Sequence, residues 1–387
     1  MLIQSTSLMG SNQIVNRFSI GIDMGKYLWV VGVFDRETGK YRSKSFRGET
    51  RDFECYEYIG DLMRKNPGKT FHVCYEAGRS GFTPARVFKE MNSQVTVLPV
   101  NKLELIKSGK KVKTDKIDAK FLTGLDPMFM RLPSVWVPSP EQEALRHLQR
   151  EIKRLKEDIQ RNNNRIISIL ERWPVEKIGV HKTALEWKRI FNEWNNRRTG
   201  NKLPESEALR ICLLIQELGV FEANMAKFQA YIDKKFEEDR SVSAIASTLA
   251  QFSGISDIIS RSFAWEIGDF RRFKNGKKIS SYFGLTPTPY SSGKSVKEQG
   301  ISKEGNGELR RLAIQLAWLW RQHQPNSKLT IKYAERLAKK GRDRKRAIVA
   351  LARQLVVALY RYVVHGEEVE GAVMNNKILG GAARVTP

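Results

Sequence analysis

Four carboxylates, Asp23, Glu76, Asp115 and Asp118, are the residues of this chain best suited to chemistry. Asp23 closes an apolar run, Ser19-Ile20-Gly21-Ile22-Asp23, and Glu76 closes a second, Phe71-His72-Val73-Cys74-Tyr75-Glu76. Asp115 and Asp118 open a predicted helix three residues apart, so both project from one face. Strand ends and a helix start can converge on one point, and clustered carboxylates repel unless a cation or a proton sits between them. Two divalent cations about 4 Å apart can stabilise both oxygens of an in-line phosphoryl displacement. Mg2+ or Mn2+ is the expected ion, since such hard cations take anionic oxygen ligands and leave positions for substrate and water. Singly, each acid could be a solvated strand-end charge or a helix-dipole partner. Together they make metal-dependent phosphoryl transfer the leading reading. Lys111, Lys113 and Lys116 surround the last pair and could neutralise the phosphates of a bound strand.

The elements that must position these acids read as α/β over residues 1–137. Strands are predicted at Phe18 to Asp23, Tyr27 to Phe34, Tyr41 to Phe46, Thr70 to Tyr75 and Gln94 to Val100. Helices are predicted at Asp52 to Arg64, at Thr83 to Met91, and from an N-cap at Thr114 through Leu122. Three consecutive strands, then strands alternating with helices, is the order of a ribonuclease-H-like fold.

Pro133 to Pro140 reads as a linker. A heptad seam follows, Leu145, Leu148, Ile152, Leu155, Ile159, Asn162, Ile166, Ile169 and Trp173, with Asn162 as its polar intruder. A second seam runs Ile211, Leu214, Leu218, Phe221, Met225, Phe228 and Ile232, with Gly219 as an expected interruption. Two such helices predict a hairpin within the chain or a coiled coil between subunits. A short helix is expected around Lys182 to Trp194. This gives a coiled-coil segment over 138–246, a mainly helical C-terminal domain over 247–365 and a mobile tail over 366–387. Within the third segment, helices are predicted at Ile258 to Ile267, Glu308 to Arg321 and Ile331 to Val364, with a turn-rich basic stretch at Gly284 to Gly307.

The net charge of +25 calls for a polyanionic partner. It is concentrated: Asp269 to Arg346 holds 20 basic and 6 acidic residues, more than half of the excess. Interleaved glycines, serines and aromatics suit a nucleic-acid groove better than a helix lying on a membrane. Three scattered cysteines give neither a disulfide framework nor a zinc pattern, which fits a reducing cytoplasm. Ala347 to Val364 is apolar but carries Arg353 and Arg361, so it reads as a buried helix and no membrane span is expected.

The segments Ile20-Gly21-Ile22-Asp23, Tyr75-Glu76-Ala77-Gly78 and Lys113-Thr114-Asp115-Lys116-Ile117-Asp118-Ala119 resemble the RuvC-like domain of DEDD transposases. These are the insertion-sequence families numbered 110 and 1111, which include the bridge-RNA-guided recombinases. The resemblance continues through Gly284-Leu285-Thr286-Pro287, Ser291-Ser292-Gly293-Lys294-Ser295, Ile301 to Asn306 and Leu309-Arg310-Arg311. It implies a nucleophilic serine before the glycine of the Ser-Gly pair, which is Ser292. Ser291, Ser295 and Ser302 are the fallback nucleophiles. A serine attacking DNA forms a phosphoseryl link and needs its proton removed. No histidine lies nearby in sequence, and the resemblance implies a composite site with the metal-holding acids, within one chain or across subunits. Without the family, Ser292 reads first as a turn serine beside Gly293.

Lys294, Lys297, Lys303, Arg310 and Arg311 are candidate phosphate clamps or, alternatively, a solvated charged face. Gly305-Asn306-Gly307 could present amides to a phosphate or serve only as a cap. Ser253-Gly254-Ile255-Ser256 stands where relatives carry a Pro-Gly-x-Gly hairpin turn, and the two serines weaken the expectation of phosphate contact there. Trp265, Phe270, Phe273, Trp318 and Trp320 read as core. The resemblance implies a transposase acting on double-stranded DNA, a structured guide RNA, and a homo-oligomer, dimer or tetramer. The rivals are a hydrolytic junction-resolvase-type nuclease using water, and a non-catalytic nucleic-acid-binding scaffold.

Overall fold

The structure is a computed structural model and describes residues 16–99, 114–128, 130, 132–173, 181–195, 203–292, 295–338 and 343–375, without the side chains of 194–195 and 289–299. The chain divides into two compact units, 1–139 and 140–387.

The first unit is built on five strands: β1 (Arg17–Met24), β2 (Leu28–Asp35), β3 (Tyr41–Arg47), β4 (Thr70–Glu76) and β5 (Gln94–Leu98). Their order is β3-β2-β1-β4-β5. β2 runs antiparallel to both β1 and β3, whereas β1, β4 and β5 run parallel. The alternation in β1 explains its central place. Phe18, Ile20 and Ile22 face a core shared with Cys55, Ile59 and Leu62 of α1 (Arg51–Arg64) and with Ala85 and Phe88 of α2 (Thr83–Glu90). Burying each such large aliphatic or aromatic side chain is worth about 1.5–3 kcal/mol. Cys74 of β4 faces the other way, into a cluster with Leu98, Leu122 and Leu125. That face is covered by α3 (Asp115–Gly124), whose N-cap Thr114 accepts a hydrogen bond from the Ile117 amide, as the sequence predicts. The segment 132–139 has no regular structure, and its Val135 amide donates to the Val97 carbonyl.

In the second unit, α4 (Pro140–Leu170) and α6 (Glu205–Glu238) pair with each other as an antiparallel hairpin. Leu145 and Ile152 share a cluster with Ile232 and Phe236, and Ile166 and Ile169 share another with Ile211 and Leu218. The polar intruder is satisfied within the chain, since Asn162 Nδ2 donates to Glu217 Oε2 at 3.0 Å. Its neighbour Asn163 accepts from Trp187 Nε1 of α5 (Ala184–Asn195) at 2.8 Å. Gly219 does not interrupt α6, because flanking turns carry the helix through it.

The remaining helices are α7 (Arg240–Ala250), α8 (Asp257–Ile267), α9 (Gly276–Tyr282), α10 (Gly307–His323), α11 (Lys328–Ala338) and α12 (Arg344–His365). They enclose a core that includes Phe263, Phe270, Phe283, Leu316, Trp320 and Leu355. Trp265 and Phe273 are also buried, as expected of core aromatics. By length and composition α12 could cross a membrane, but Ile348, Leu351, Leu355 and Leu359 join this core.

Three further features differ from expectation. The basic stretch read as turns contains a hairpin, β6 (Pro287–Ser292) and β7 (Ser295–Ile301). Pro287 and Pro289 hid it, because proline argues against a strand except at an edge or bulge, and a bulge lies between those two positions. The single helical stretch expected at Ile331 to Val364 is two helices, with Asp343 capping the second through the Lys345 amide at 2.7 Å. Residues 366–375 are packed rather than a mobile tail: Gln324, fully buried, donates to the Ser253 and Val373 carbonyls and accepts from the Val373 amide. The rest of the expected tail lies outside the described residues.

Candidate active site

The sheet register sets the site. Ile22 pairs with Tyr75, so Asp23 and Glu76 follow as the next residues of two adjacent parallel strands. Both belong to the face that carries Gly21 and Cys74, beneath α3. Gly21 lies under the middle of α3, against Ala119, Leu122 and Thr123. At the other end Arg17, the first residue of β1, meets Asp126, just past the last turn of α3. The helix therefore runs opposite to β1, and its N-terminus stands at the end where Asp23 and Glu76 lie. Asp118 is buried there at 9 % exposure, whereas Asp115, one turn earlier, is exposed.

Topology thus brings Asp23, Glu76 and Asp118 to one end of one sheet face, with Asp115 on its rim. In the side-chain conformations described, no group of three His, Cys, Asp or Glu residues is arranged to hold a metal ion among the described residues. Asp23, Glu76 and Asp118 each take part in a polar or electrostatic interaction. The donor chemistry, anionic oxygen at strand ends and a helix start, suits a hard divalent cation once the side chains turn toward a common point. Lys116 is exposed beside the pair, and Lys111 and Lys113 lie outside the described residues.

The opposite end of α3 is fixed by a buried polar network that the sequence reading missed. Arg17 Nε donates to Asp126 Oδ2 at 2.7 Å, and its Nη2 donates to Asp126 Oδ1 at 3.0 Å and to Gln94 Oε1 at 2.9 Å. Ser19 Oγ donates to Asp126 at 3.1 Å and accepts from Arg36 Nε at 3.0 Å. His72 Nδ1 stands 3.7 Å from Asp126, and His72 Nε2 is within 2.9 Å of Thr96 Oγ1. Arg17, His72 and Asp126 are at most 1 % exposed, so this is a desolvated cluster. Burial first, then the nearby guanidinium groups, hold the His72 imidazole down to about 4 against the pull of Asp126. Burial raises Asp126, but the Met128 amide and Arg17 outweigh it and leave the carboxyl below its ordinary range. The available signal was the alternation Arg17, Ser19, Gly21, Asp23: polar or small residues on one face, apolar residues between them.

Ser292 ends β6, paired in register with Ser295 across the hairpin. The side chains of Ser291, Ser292, Ser295 and Lys297, and all of Lys294, lie outside the described residues. Ser302 is engaged: its amide donates to the Thr286 carbonyl and its hydroxyl accepts from Thr286 Oγ1 at 3.3 Å. Lys303 is exposed with φ +56°. Arg310 and Arg311 are committed within the fold. Arg310 Nη1 donates to the Lys303 carbonyl at 3.2 Å, and Arg311 pairs with Glu308. Asn306 caps α10, accepting from the Glu308 and Leu309 amides, and its own amide, one of the three considered for phosphate, donates to the Tyr282 carbonyl at 2.7 Å. At the serine-bearing turn before α8, the Ser253 amide donates to the Val373 carbonyl.

Comparison with known proteins identifies the family. Residues 20–173 match a family model described as a DEDD transposase, and residues 246–334 match the transposase IS116/IS110/IS902 family. A protein named "Putative transposase y4rJ" from Sinorhizobium fredii is 30 % identical over 380 residues, covering 92 % of this chain and 94 % of its own. The chain belongs to this transposase family. The transposase is also 26 % identical to the "Probable family 20 transposase" of Pseudomonas aeruginosa, across 78 % of this chain and 83 % of that one. A pilin gene-inverting protein of Moraxella bovis is 31 % identical over 120 residues, 30 % of this chain and 36 % of its own. The transposase is accordingly a DNA-acting recombination enzyme.

Proposed function

We propose that the transposase cuts and rejoins double-stranded DNA at the carboxyl ends of β1 and β4, in a domain of ribonuclease-H-like fold. The carrying observation is the orientation of α3, which delivers Asp118 to the strand ends bearing Asp23 and Glu76. The order β3-β2-β1-β4-β5, with only β2 running against the others, supports the fold reading.

Asp23, Glu76, Asp115 and Asp118 would hold Mg2+ or Mn2+, which supplies charge neutralisation at the phosphoryl oxygens. Ser292 is the nucleophile of this reading. Its Oγ forms a bond to phosphorus, the hydroxyl proton passes to a base, and the departing sugar oxygen takes up a proton. Rejoining reverses this: a sugar hydroxyl attacks the phosphoseryl phosphorus and Ser292 is released. Lys116 and Lys303, both exposed, are candidate phosphate contacts, and Lys111, Lys113, Lys294 and Lys297 belong to the same proposal. The gene-inverting name of the Moraxella relative agrees with cutting followed by rejoining. A structured guide RNA and a dimeric or tetrameric assembly complete this reading: the +25 charge suits RNA as well as DNA, and holding two duplexes at once suits a symmetric assembly.

The test is a denaturation-resistant protein–DNA adduct. It is expected with the native chain and absent from Ser292→Ala. Continued cutting by Ser292→Ala without an adduct would assign the reaction to water. Sequencing of co-purified RNA tests the guide.

A further inference from the structure

A second basic feature lies away from the β6–β7 hairpin. Helices α11 and α12 enclose a cleft of about 260 Å³ lined by Lys332, Tyr333, Glu335 and Arg336 on one side and Ala347, Leu351 and Gln354 on the other. Its lining follows from helical spacing. Lys332 and Arg336 lie one turn apart on α11, and Ala347, Leu351 and Gln354 form a single stripe of α12. Ala347 and Leu351 are buried and form an apolar floor, while Lys332 and Arg336 are exposed.

Lys328, one turn before Lys332, is paired with Glu370. Lys332 and Arg336 have no ion pair or hydrogen bond among the described residues. Tyr333 is 5 % exposed, and its buried hydroxyl has no hydrogen-bond partner among the described residues. An unsatisfied buried hydroxyl costs free energy, so a ligand oxygen brought to this wall recovers an interaction the fold itself leaves unmade. Glu335 adds one carboxylate to the lining, which disfavours a bulky polyanionic small molecule and leaves a site for a singly charged group.

We infer that this cleft is a backbone-binding site for a phosphodiester, with Lys332 and Arg336 meeting the charge and Tyr333 donating to a phosphate oxygen. A phosphodiester carries a single charge, and nucleic acid is the polymer on which the proposed function already rests. Duplex DNA and folded RNA present the same group, so the experiment separates them.

The full chain is titrated with a fluorescent 30-base-pair duplex and, separately, a fluorescent RNA hairpin, by anisotropy over a series of salt concentrations. Each lost phosphate contact lowers the slope of log affinity against log salt by about 0.9 on B-DNA and about 0.7 on a single strand. Lys332→Gln combined with Arg336→Gln is therefore expected to lower the slope by about 1.8 for duplex DNA. Lys328→Gln, whose charge is already committed to Glu370, should leave it unchanged. Tyr333→Phe is expected to weaken binding several-fold at fixed salt while the free protein melts no lower. A reduced slope in one arm alone identifies the polymer that occupies the cleft. Native slopes in both arms for the double variant would overturn the site while leaving the proposed function standing. A native chain binding neither polymer would overturn both.

Discussion

Gly21 of β1 lies directly against Ala119 of α3. A Cβ at residue 21 would collide with the Ala119 carbonyl oxygen and come within 2.5 Å of the Thr123 amide nitrogen and 2.7 Å of the Leu122 Cβ. Backbone cannot move aside as a side-chain tip can, so the helix must lift from the sheet. Gly21→Ala is expected to cost about 1–3 kcal/mol in denaturant unfolding. It should also reduce DNA cutting under conditions where the variant is fully folded, because Asp118 rides on the displaced helix. Native stability and native cutting together would contradict this packing.

The exposed and buried members of the acid pair should behave differently. Asp118→Asn is expected to reduce cutting by at least about a hundredfold, the scale of removing one charge-stabilising group from a site. Asp115→Asn, on the rim, should lose less. Chelation by EDTA should stop cutting by the native chain, and added Mg2+ should restore it. Activity that survives chelation would remove the cation from the reading.

Asp126 anchors the far end of the same helix. Asp126→Ala leaves Arg17 buried and without its carboxylate, a situation that typically costs about 3–5 kcal/mol. Equilibrium unfolding in urea measures the loss. A change below about 1 kcal/mol would mean that water reaches the guanidinium.

The same cluster makes the fold acid-sensitive. The His72 value is depressed to about 4 in the folded state. As pH falls below about 6.5, the unfolded chain takes up the proton and the folded chain does not. Stability therefore declines from pH 6.5 toward pH 4, by up to about 3 kcal/mol for this group alone. Asp126, itself depressed, contributes stability above its ordinary value that is lost as pH falls through its lower folded value. Unfolding free energies of His72→Gln across pH 4–7 should show a shallower slope than the native chain. An identical slope would assign the acid sensitivity elsewhere.

Gln324 fastens the segment after α12. Gln324→Ala leaves the Ser253 and Val373 carbonyls and the Val373 amide without their side-chain partner. A loss of about 1–3 kcal/mol is expected, with faster limited proteolysis at 366–375. Unchanged cleavage kinetics there would show that other contacts hold the segment.

Local sequence determined much of the first unit. Alternation set β1 and β4, and Thr114 announced the start of α3, because strand faces and helix caps are written in residues a few positions apart. It also marked all four acids, since each lies at or within a few residues of an element's end. It could not say that α3 runs opposite to β1 and brings Asp118, rather than Asp126, to the strand ends. That depends on Gly21 yielding space to Ala119 and on Arg17 capturing Asp126 across 109 positions. The hairpin at 287–301 was hidden because its prolines oppose strand propensity and pairing across the turn overrides it. The partner of α4 was likewise undecided by its heptads, because an apolar seam specifies that a helix must be covered and not by which helix. Tertiary packing chose α6, and it chose what the periodicity never marked, the buried cluster around Asp126.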